Sequence, residues 1–248
     1  MYQSNQVVTV IPARDEALSI AQVINNIKAI RNDDTSAVID RILVCDNAST
    51  DDTAEIARAL GAEVVFEPQP GYGAACLKAL GLIEDADIED TDIVLFIDAD
   101  ASLKINESLL LLAAIDDGQD LVIGCRLKNL REHGSMSRIQ IFGNSLASFL
   151  IRCLWQVKVN DLGPFRAIRF SALQKLNMQD RHYGWTVEMQ VKAIQHNLKM
   201  SEIPVHYYRR IGQSKISGTL TGIIGAGCGI IITIFKLAWN RPKSKLGC

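Results

Sequence analysis

Ile93-Val94-Leu95-Phe96-Ile97-Asp98-Ala99-Asp100 is the stretch whose reading decides the fold. Five apolar residues, mostly β-branched or aromatic and without alternation, predict a central parallel strand buried on both faces. The run stops at two carboxylates. In open α/β sheets the carboxyl ends of the strands face the ligand crevice. Residues at i and i+2 just past a strand share a side, so Asp98 and Asp100 can converge on one hard divalent cation. Mg2+ or Mn2+ bound this way ordinarily bridges to a diphosphate. A solvated turn with an Asp cap for the next helix is the competing explanation of a bare Asp-x-Asp.

Outward from this strand, the first half of the chain alternates strand and helix with short connections, which predicts a sheet built from βαβ units. Strands are expected at Val7–Ile11, Ile42–Cys45, Val64–Phe66 and Leu121–Gly124. Helices are expected at Leu18–Ile30, from Ser49 or Thr50 as cap to Leu60, from Gly71-Tyr72-Gly73 to Leu82, and at Glu107–Ile115. The second half is less regular. It predicts helices at Ser137–Trp155 and Trp185–His196 and strands at Phe165–Arg169 and Ile203–Tyr208. Thr219–Phe235 is uncharged, rich in Ile and Gly, and flanked by Lys and Arg. It is shorter than the roughly 20 residues that span a bilayer, so an interfacial or dimer-packing helix is expected there.

With 248 residues, 48% of them hydrophobic, the chain can bury a substantial core. The division expected is one domain over 1–218 and an apolar, basic helical tail over 219–248. The first residues lack the basic flank and apolar segment of a signal peptide, which predicts a cytoplasmic protein. Six cysteines form no C-x-x-C pair and read as buried, reduced thiols rather than disulfides or zinc ligands. The net charge of −2 hides an asymmetry: residues 1–120 carry 7 Lys and Arg against 23 Asp and Glu, whereas 121–248 carry 19 against 5. An anionic, metal-bearing half facing a cationic half that receives phosphates or an anionic membrane accounts for this split; two solvated faces of opposite sign would also do so. No nucleic-acid partner is expected.

Four features fall in order along the first half: Pro12-x-x-Asp15-Glu16, Asp46-x-x-Ser49-x-Asp51-x-Thr53, Gly71-x-Gly73 and Asp98-Ala99-Asp100. Together they resemble the nucleotide-sugar-binding half of family 2 glycosyltransferases, the GT-A fold. That fold is α/β, a Rossmann-like, mostly parallel sheet flanked by helices, here with a C-terminal apolar helix. Gly124-Cys125-Arg126, Asp161-Leu162-Gly163-Pro164-Phe165-Arg166, Tyr183-Gly184-Trp185-Thr186-Val187-Glu188 and Arg209-Arg210-Ile211-Gly212-Gln213-Ser214-Lys215 resemble the same family's polyprenyl-phosphate sugar transferases, such as dolichyl-phosphate mannose and glucose synthases. Any one motif is weak; their order and spacing are strong.

The resemblance implies a metal-dependent, inverting hexosyltransferase. Its donor would be a nucleoside-diphosphate sugar, UDP-glucose or GDP-mannose, and its acceptor polyprenyl phosphate at the cytosolic membrane face. Asp98 and Asp100 would bind Mg2+ or Mn2+. Pro12, Arg14, Glu16, Asp46 and Gly71 would line the nucleotide, and Arg209, Arg210 and Lys215 would fold over phosphates, which arginine forks bind bidentately. Arg126 would meet the acceptor phosphate, with Arg131 and Arg138 in support. As aromatics, Trp185 and Tyr183 are candidates to stack on a sugar ring, with buried packing the equal alternative for Trp185. Asp161 or Glu188 would be a base only if the acceptor is an alcohol, because a phosphate is already anionic near neutral pH. Gly163-Pro164-Phe165 stands where Ser-Gly-Phe is commoner in the family, and no convincing pair of membrane helices follows. Transfer to a sugar or lipid hydroxyl, a nucleotidyltransferase and a non-catalytic nucleotide-sugar-binding scaffold remain open, as does a homo-oligomer.

Overall fold

The computed structural model describes residues 1–33, 35–84, 88–90, 92–212 and 220–240. Its strands are β1 (Val7–Ala13), β2 (Arg41–Asp46), β3 (Glu63–Phe66), β4 (Ile93–Phe96), β5 (Leu121–Cys125), β6 (Arg166–Arg169) and β7 (Met200–Pro204). Its α-helices are α1 (Ile20–Lys28), α2 (Thr53–Ala59), α3 (Tyr72–Glu84), α4 (Ser108–Asp116), α5 (Arg138–Trp155), α6 (Phe170–Leu176), α7 (Trp185–Gln195) and α8 (Leu220–Trp239). The strands form one sheet in the order β3-β2-β1-β4-β6-β5-β7. β1 pairs in parallel with β2 and β4, β2 with β3, and β5 with β7; β6 runs antiparallel to both β4 and β5.

The alternation of side chains along a strand divides the core in two. Val7 and Ile11 of β1, with Ile93 and Leu95 of β4, face α1 and α4. Val8, Val10, Val94 and Phe96 face α3, α6 and α7. Both faces of the central strands are therefore apolar, as the unalternating run at 93–97 predicted. A third apolar cluster joins α5, α7 and α8 through Ala147, Ile151, Trp155, Val187, Val191 and Ile234.

Three departures from expectation shape the functional end of the sheet. Ser49 and Thr50 do not cap α2, whose preceding residue Asp52 makes no side-chain cap. They tie the loop after β2 to the loop after β1: Ser49 Oγ accepts the Asp15 N–H at 3.0 Å, and the Thr50 N–H donates to Asp15 Oδ1 at 2.7 Å. β7 ends at Pro204, earlier than expected, because the chain beyond it leaves β5 and crosses toward β4. On the way the Tyr208 N–H bonds the Ser102 carbonyl at 2.8 Å, and the Ile211 N–H bonds the Asp100 carbonyl at 2.9 Å. α6 was not anticipated; its apolar side is one short turn pattern, Ala172, Leu173 and Leu176, packed under the sheet.

Cys45, Cys76 and Cys125 are buried free thiols as expected, whereas Cys153 and Cys228 are exposed. No helix among the described residues is long and apolar enough to cross a membrane. Trp185, 1% exposed, packs edge-on against Phe96 with ring centroids 6.2 Å apart. Trp185→Ala should therefore lower the unfolding free energy by about 3–5 kcal/mol in urea denaturation, the usual cost of deleting a large buried aromatic. A loss below about 1 kcal/mol would show that this packing does not support the core.

Candidate active site

The carboxyl ends of β1, β2 and β4 open on a crevice walled on its far side by residues 182–183 and Arg210. Asp98 and Asp100 stand at its floor. Asp98 is half-buried, and its Oδ1 accepts the Tyr72 hydroxyl at 3.2 Å. Asp100 is buried, and its Oδ1 accepts the Ser102 N–H at 3.0 Å and hydroxyl at 2.6 Å. Its Oδ2 lies 3.5 Å from Arg210 Nη1. Burial, and then the neighbouring Asp100 charge, push the Asp98 carboxyl up to about 7. The pair therefore has a physical need for positive charge, and each carboxylate keeps an oxygen not held by Tyr72 or Ser102. No cluster of three or more Asp, Glu, His or Cys gathers at a potential metal site among the described residues. Two carboxylates fit a Mg2+-type ion that takes its remaining ligands from water and substrate phosphate.

The backbone around this floor is held in uncommon conformations. Asp15, Ala48 and Ala101 follow β1, β2 and β4, and have φ of 51°, 56° and 57°, in the left-handed region that non-glycine residues seldom occupy. Such conformations persist where surrounding bonds over-determine them, and they concentrate at functional sites.

Above the carboxylates, Arg210 Nη2 bonds Glu16 Oε1, and the Ser19 hydroxyl donates to Glu16 Oε2 at 3.0 Å. Burial raises the Glu16 carboxyl, and the Arg210 charge opposes that rise. Arg210 Nε is buried and has no hydrogen-bond partner among the described residues, so this cation retains an unused donor beside the crevice. Pro12, Arg14 and Gly71 complete the wall as expected.

Asp46 does not line the crevice. It is buried, and its Oδ1 accepts the Ser49 N–H at 3.0 Å. The next residue, Asn47, takes the wall position. Its amide donates to the Glu67 and Gln69 carbonyls at 3.1 and 2.8 Å and accepts the Gly71 N–H at 2.8 Å. Gly71 and Gly73 have a packing reason: a Cβ there would fall 2.1 Å from the Arg181 carbonyl oxygen and 1.9 Å from that of Asp180. Sequence reading missed Asn47, Tyr72 and His182; Asn47, beside the Asp46 motif, had the only legible signal.

Just past β5, Arg126 and Asp161 form a buried fork. Arg126 Nε and Nη2 each donate at 2.8 Å, one to each carboxylate oxygen, and the Arg126 N–H adds a bond of 2.7 Å. The guanidinium also lies over the Tyr207 ring, 5.1 Å from its centroid. Burial alone would raise the Asp161 carboxyl, but Arg126 outweighs it and holds the group below its ordinary value. Asp161 is thus committed to Arg126 rather than poised to take a proton.

Other expected residues lie away from this centre. Glu188 is 4% exposed and accepts the Gln179 and Asp180 N–H groups at 3.1 and 2.7 Å, with Lys192 Nζ at 2.7 Å. It braces the turn before α7. Trp185 is buried and cannot stack on a sugar. Arg209 is exposed, with Nε bonded to the His133 carbonyl at 2.8 Å; Arg131 Nη1 contacts Met136 Sδ at 3.3 Å; Arg138 is exposed at the start of α5. Lys215 lies outside the described residues.

The Glycosyl transferase family 2 model matches residues 8–176. An uncharacterized glycosyltransferase of Mycobacterium tuberculosis is 39% identical over 186 residues, covering 74% of this chain and 81% of its own. A dolichyl-phosphate hexose transferase of Haloferax volcanii is 29% identical over 187 residues, covering 73% and 78%. Among solved structures, glucosyl-3-phosphoglycerate synthase of M. tuberculosis, crystallised with Mn2+, UDP and glucosyl-3-phosphoglycerate, superposes with a TM-score of 0.72 at 22% identity. It covers 99% of this chain and 84% of its own. That likeness identifies the mostly parallel sheet as the GT-A fold. The matched residues and the relatives agree with the crevice at the carboxyl ends of β1, β2 and β4: the chain belongs to glycosyl transferase family 2 and is a glycosyltransferase.

Proposed function

We propose that the protein transfers a hexose from a nucleoside-diphosphate sugar to a phosphate-bearing acceptor, polyprenyl phosphate foremost, at the cytosolic face of a membrane. The observation that carries this reading is the Asp98–Asp100 pair at the end of β4, faced by Arg210. The comparisons support the donor class, because the structural relative was crystallised with UDP and Mn2+ or Mg2+. They support the acceptor through the dolichyl-phosphate hexose transferase.

Asp98 and Asp100 would hold Mg2+ or Mn2+, which supplies Lewis-acid neutralisation of the leaving diphosphate. Arg210, 3.5 Å from Asp100, would exchange its bond to Glu16 for the same phosphates, which would free Glu16 for hydroxyls of the nucleoside. Pro12, Arg14, Asn47 and Gly71 shape the nucleotide wall. Arg126, oriented by Asp161 and Tyr207, would donate its remaining N–H groups to the acceptor. An acceptor oxygen attacking opposite the leaving diphosphate inverts the anomeric carbon.

Asp161 bears on the acceptor. Its carboxylate is neutralised by Arg126 and held below its ordinary value, which suits a phosphate acceptor that arrives already ionised. Transfer to a sugar or lipid hydroxyl is the second reading; it would require another proton acceptor. The catalytic unit in this proposal ends near residue 218.

Incubation with radiolabelled UDP-glucose or GDP-mannose, Mn2+ and polyprenyl phosphate should give organic-extractable label. Asp98→Asn and EDTA should each reduce it on the order of a thousandfold, the scale of losing several kcal/mol of charge stabilisation. Full turnover under either condition would exclude the metal-bridged reading. Water-soluble glycoside alone would move the acceptor to a hydroxyl compound.

Asp161→Asn should cost about 3–5 kcal/mol of unfolding free energy at neutral pH, because it strands the buried Arg126 charge. The native carboxyl titrates below its unfolded value, so its contribution is complete above the unfolded value and is lost as pH falls through the lowered one. The stability gap between wild type and Asp161→Asn should accordingly narrow below about pH 4. A gap independent of pH would show that Asp161 does not act through its charge.

A further inference from the structure

α5 and α8 pack on one another through their inner sides, while each turns an apolar edge outward. On α5, Ile139, Phe142 and Phe149 are exposed; on α8, Ile232 and Phe235 are exposed and Trp239 is 91% exposed. These positions follow helical spacing: Phe142 and Phe149 are seven apart, and Ile232, Phe235 and Trp239 recur at three and four. They form continuous edges and not scattered surface residues, and apolar edges of this kind mark interaction sites.

The charges on the two helices indicate what covers them. Residues 138–155 and 220–239 contain Arg138, Arg152 and Lys236 and no Asp or Glu, in a chain with 28 acidic residues. All three cations are exposed. A second copy seated on this face would bring like charges together, whereas an anionic surface would attract them. Aromatic side chains flanked only by Lys and Arg suit the headgroup boundary of a bilayer, where the ring enters and the charge stays in water.

An adjoining side of α8 is joined to the crevice. A Cβ at Gly225 or Gly229 would lie 3.7 or 3.6 Å from the nearest Tyr183 atom, so that side chain rests on a glycine-lined stretch of the helix. The Thr233 hydroxyl donates to Asp180 Oδ2 at 3.1 Å. Tyr183 is itself part of the crevice wall. A surface that engages the outer edge of α8 is therefore one helix away from the site.

We infer that the outward edges of α5 and α8 form a docking face for an anionic bilayer, seated through Phe142, Phe149, Phe235 and Trp239 and steered by Arg152 and Lys236. This rests on the membrane placement proposed above and names the surface that carries it; it does not depend on the identity of the donor.

The test is co-sedimentation of the full chain with vesicles of phosphatidylglycerol in phosphatidylcholine, and with phosphatidylcholine alone. Wild type should bind the anionic vesicles and be released by high salt. Arg152→Gln with Lys236→Gln should weaken binding roughly fivefold per cation removed, and Phe149→Ser with Trp239→Ser should abolish it. Both altered proteins should unfold at the wild-type temperature, because the replaced side chains are exposed. UDP binding in Mn2+, measured alongside, should be unchanged; its absence from wild type would count against the donor site and leave the docking face standing. Wild type that ignores anionic vesicles overturns the inference, as does equal binding by all three proteins. A wild-type dimer dispersed by Phe149→Ser with Trp239→Ser, with no vesicle binding, would assign the face to a second copy.

Discussion

Placing Asp98 and Asp100 two residues apart at the end of a buried strand creates a local excess of negative charge that water cannot fully relieve. Burial and mutual repulsion raise Asp98 to about 7, so both carboxylates stay charged near neutral pH only with positive charge in reach. Arg210 supplies part of it, 3.5 Å from Asp100, and bonds Glu16 as well. The strand ending, the long crossing after β7 and the loop after β1 all converge on this one electrostatic problem. A crevice that must attract cations, and through them phosphate, is its consequence.

The rest of the structure holds those charges in place. Residues 205–211 are bonded to the ends of β5 and β4 on their way across, so Arg210 reaches the carboxylates from a backbone hydrogen-bonded at several points. Ser49, Thr50 and Asp15 tie the first two strand ends together. Asn47 holds the 67–71 loop through three hydrogen bonds. Arg126 is fixed by the Asp161 fork and the Tyr207 ring. Preorganised charge of this sort requires no rearrangement of the protein as charge develops on a leaving group.

Residues read as chemical from sequence divide along the same line. Glu16, Asp98, Asp100 and Arg210 meet in the crevice because each follows a strand end or lies on the crossing segment. Glu188 and Trp185 belong to the start of α7, whose first turn is buried; there a carboxylate caps backbone and an indole fills core. A motif containing Tyr183, Trp185 and Glu188 carries no label that separates its one crevice residue from its packing residues. Asn47 takes the wall position expected of its neighbour Asp46, since a step of one residue past a strand turns a side chain to the other side.

The pattern of apolar residues and the carboxylates after them determined much by itself: strands expected over 7–11, 42–45, 93–97 and 121–124, each within two residues of those observed, the helices between them, the crevice end of the sheet and the acidic pair on it. These follow from local rules, because burial on both faces and the strand period are written in neighbouring residues. Tertiary structure alone decided that β6 runs antiparallel between β4 and β5, that the chain after Pro204 crosses to the carboxylates, and that Asp161 is held by Arg126. Each joins residues 35 to more than 100 positions apart. Such pairings depend on which surfaces meet when the layers close, and no local pattern of residues encodes that.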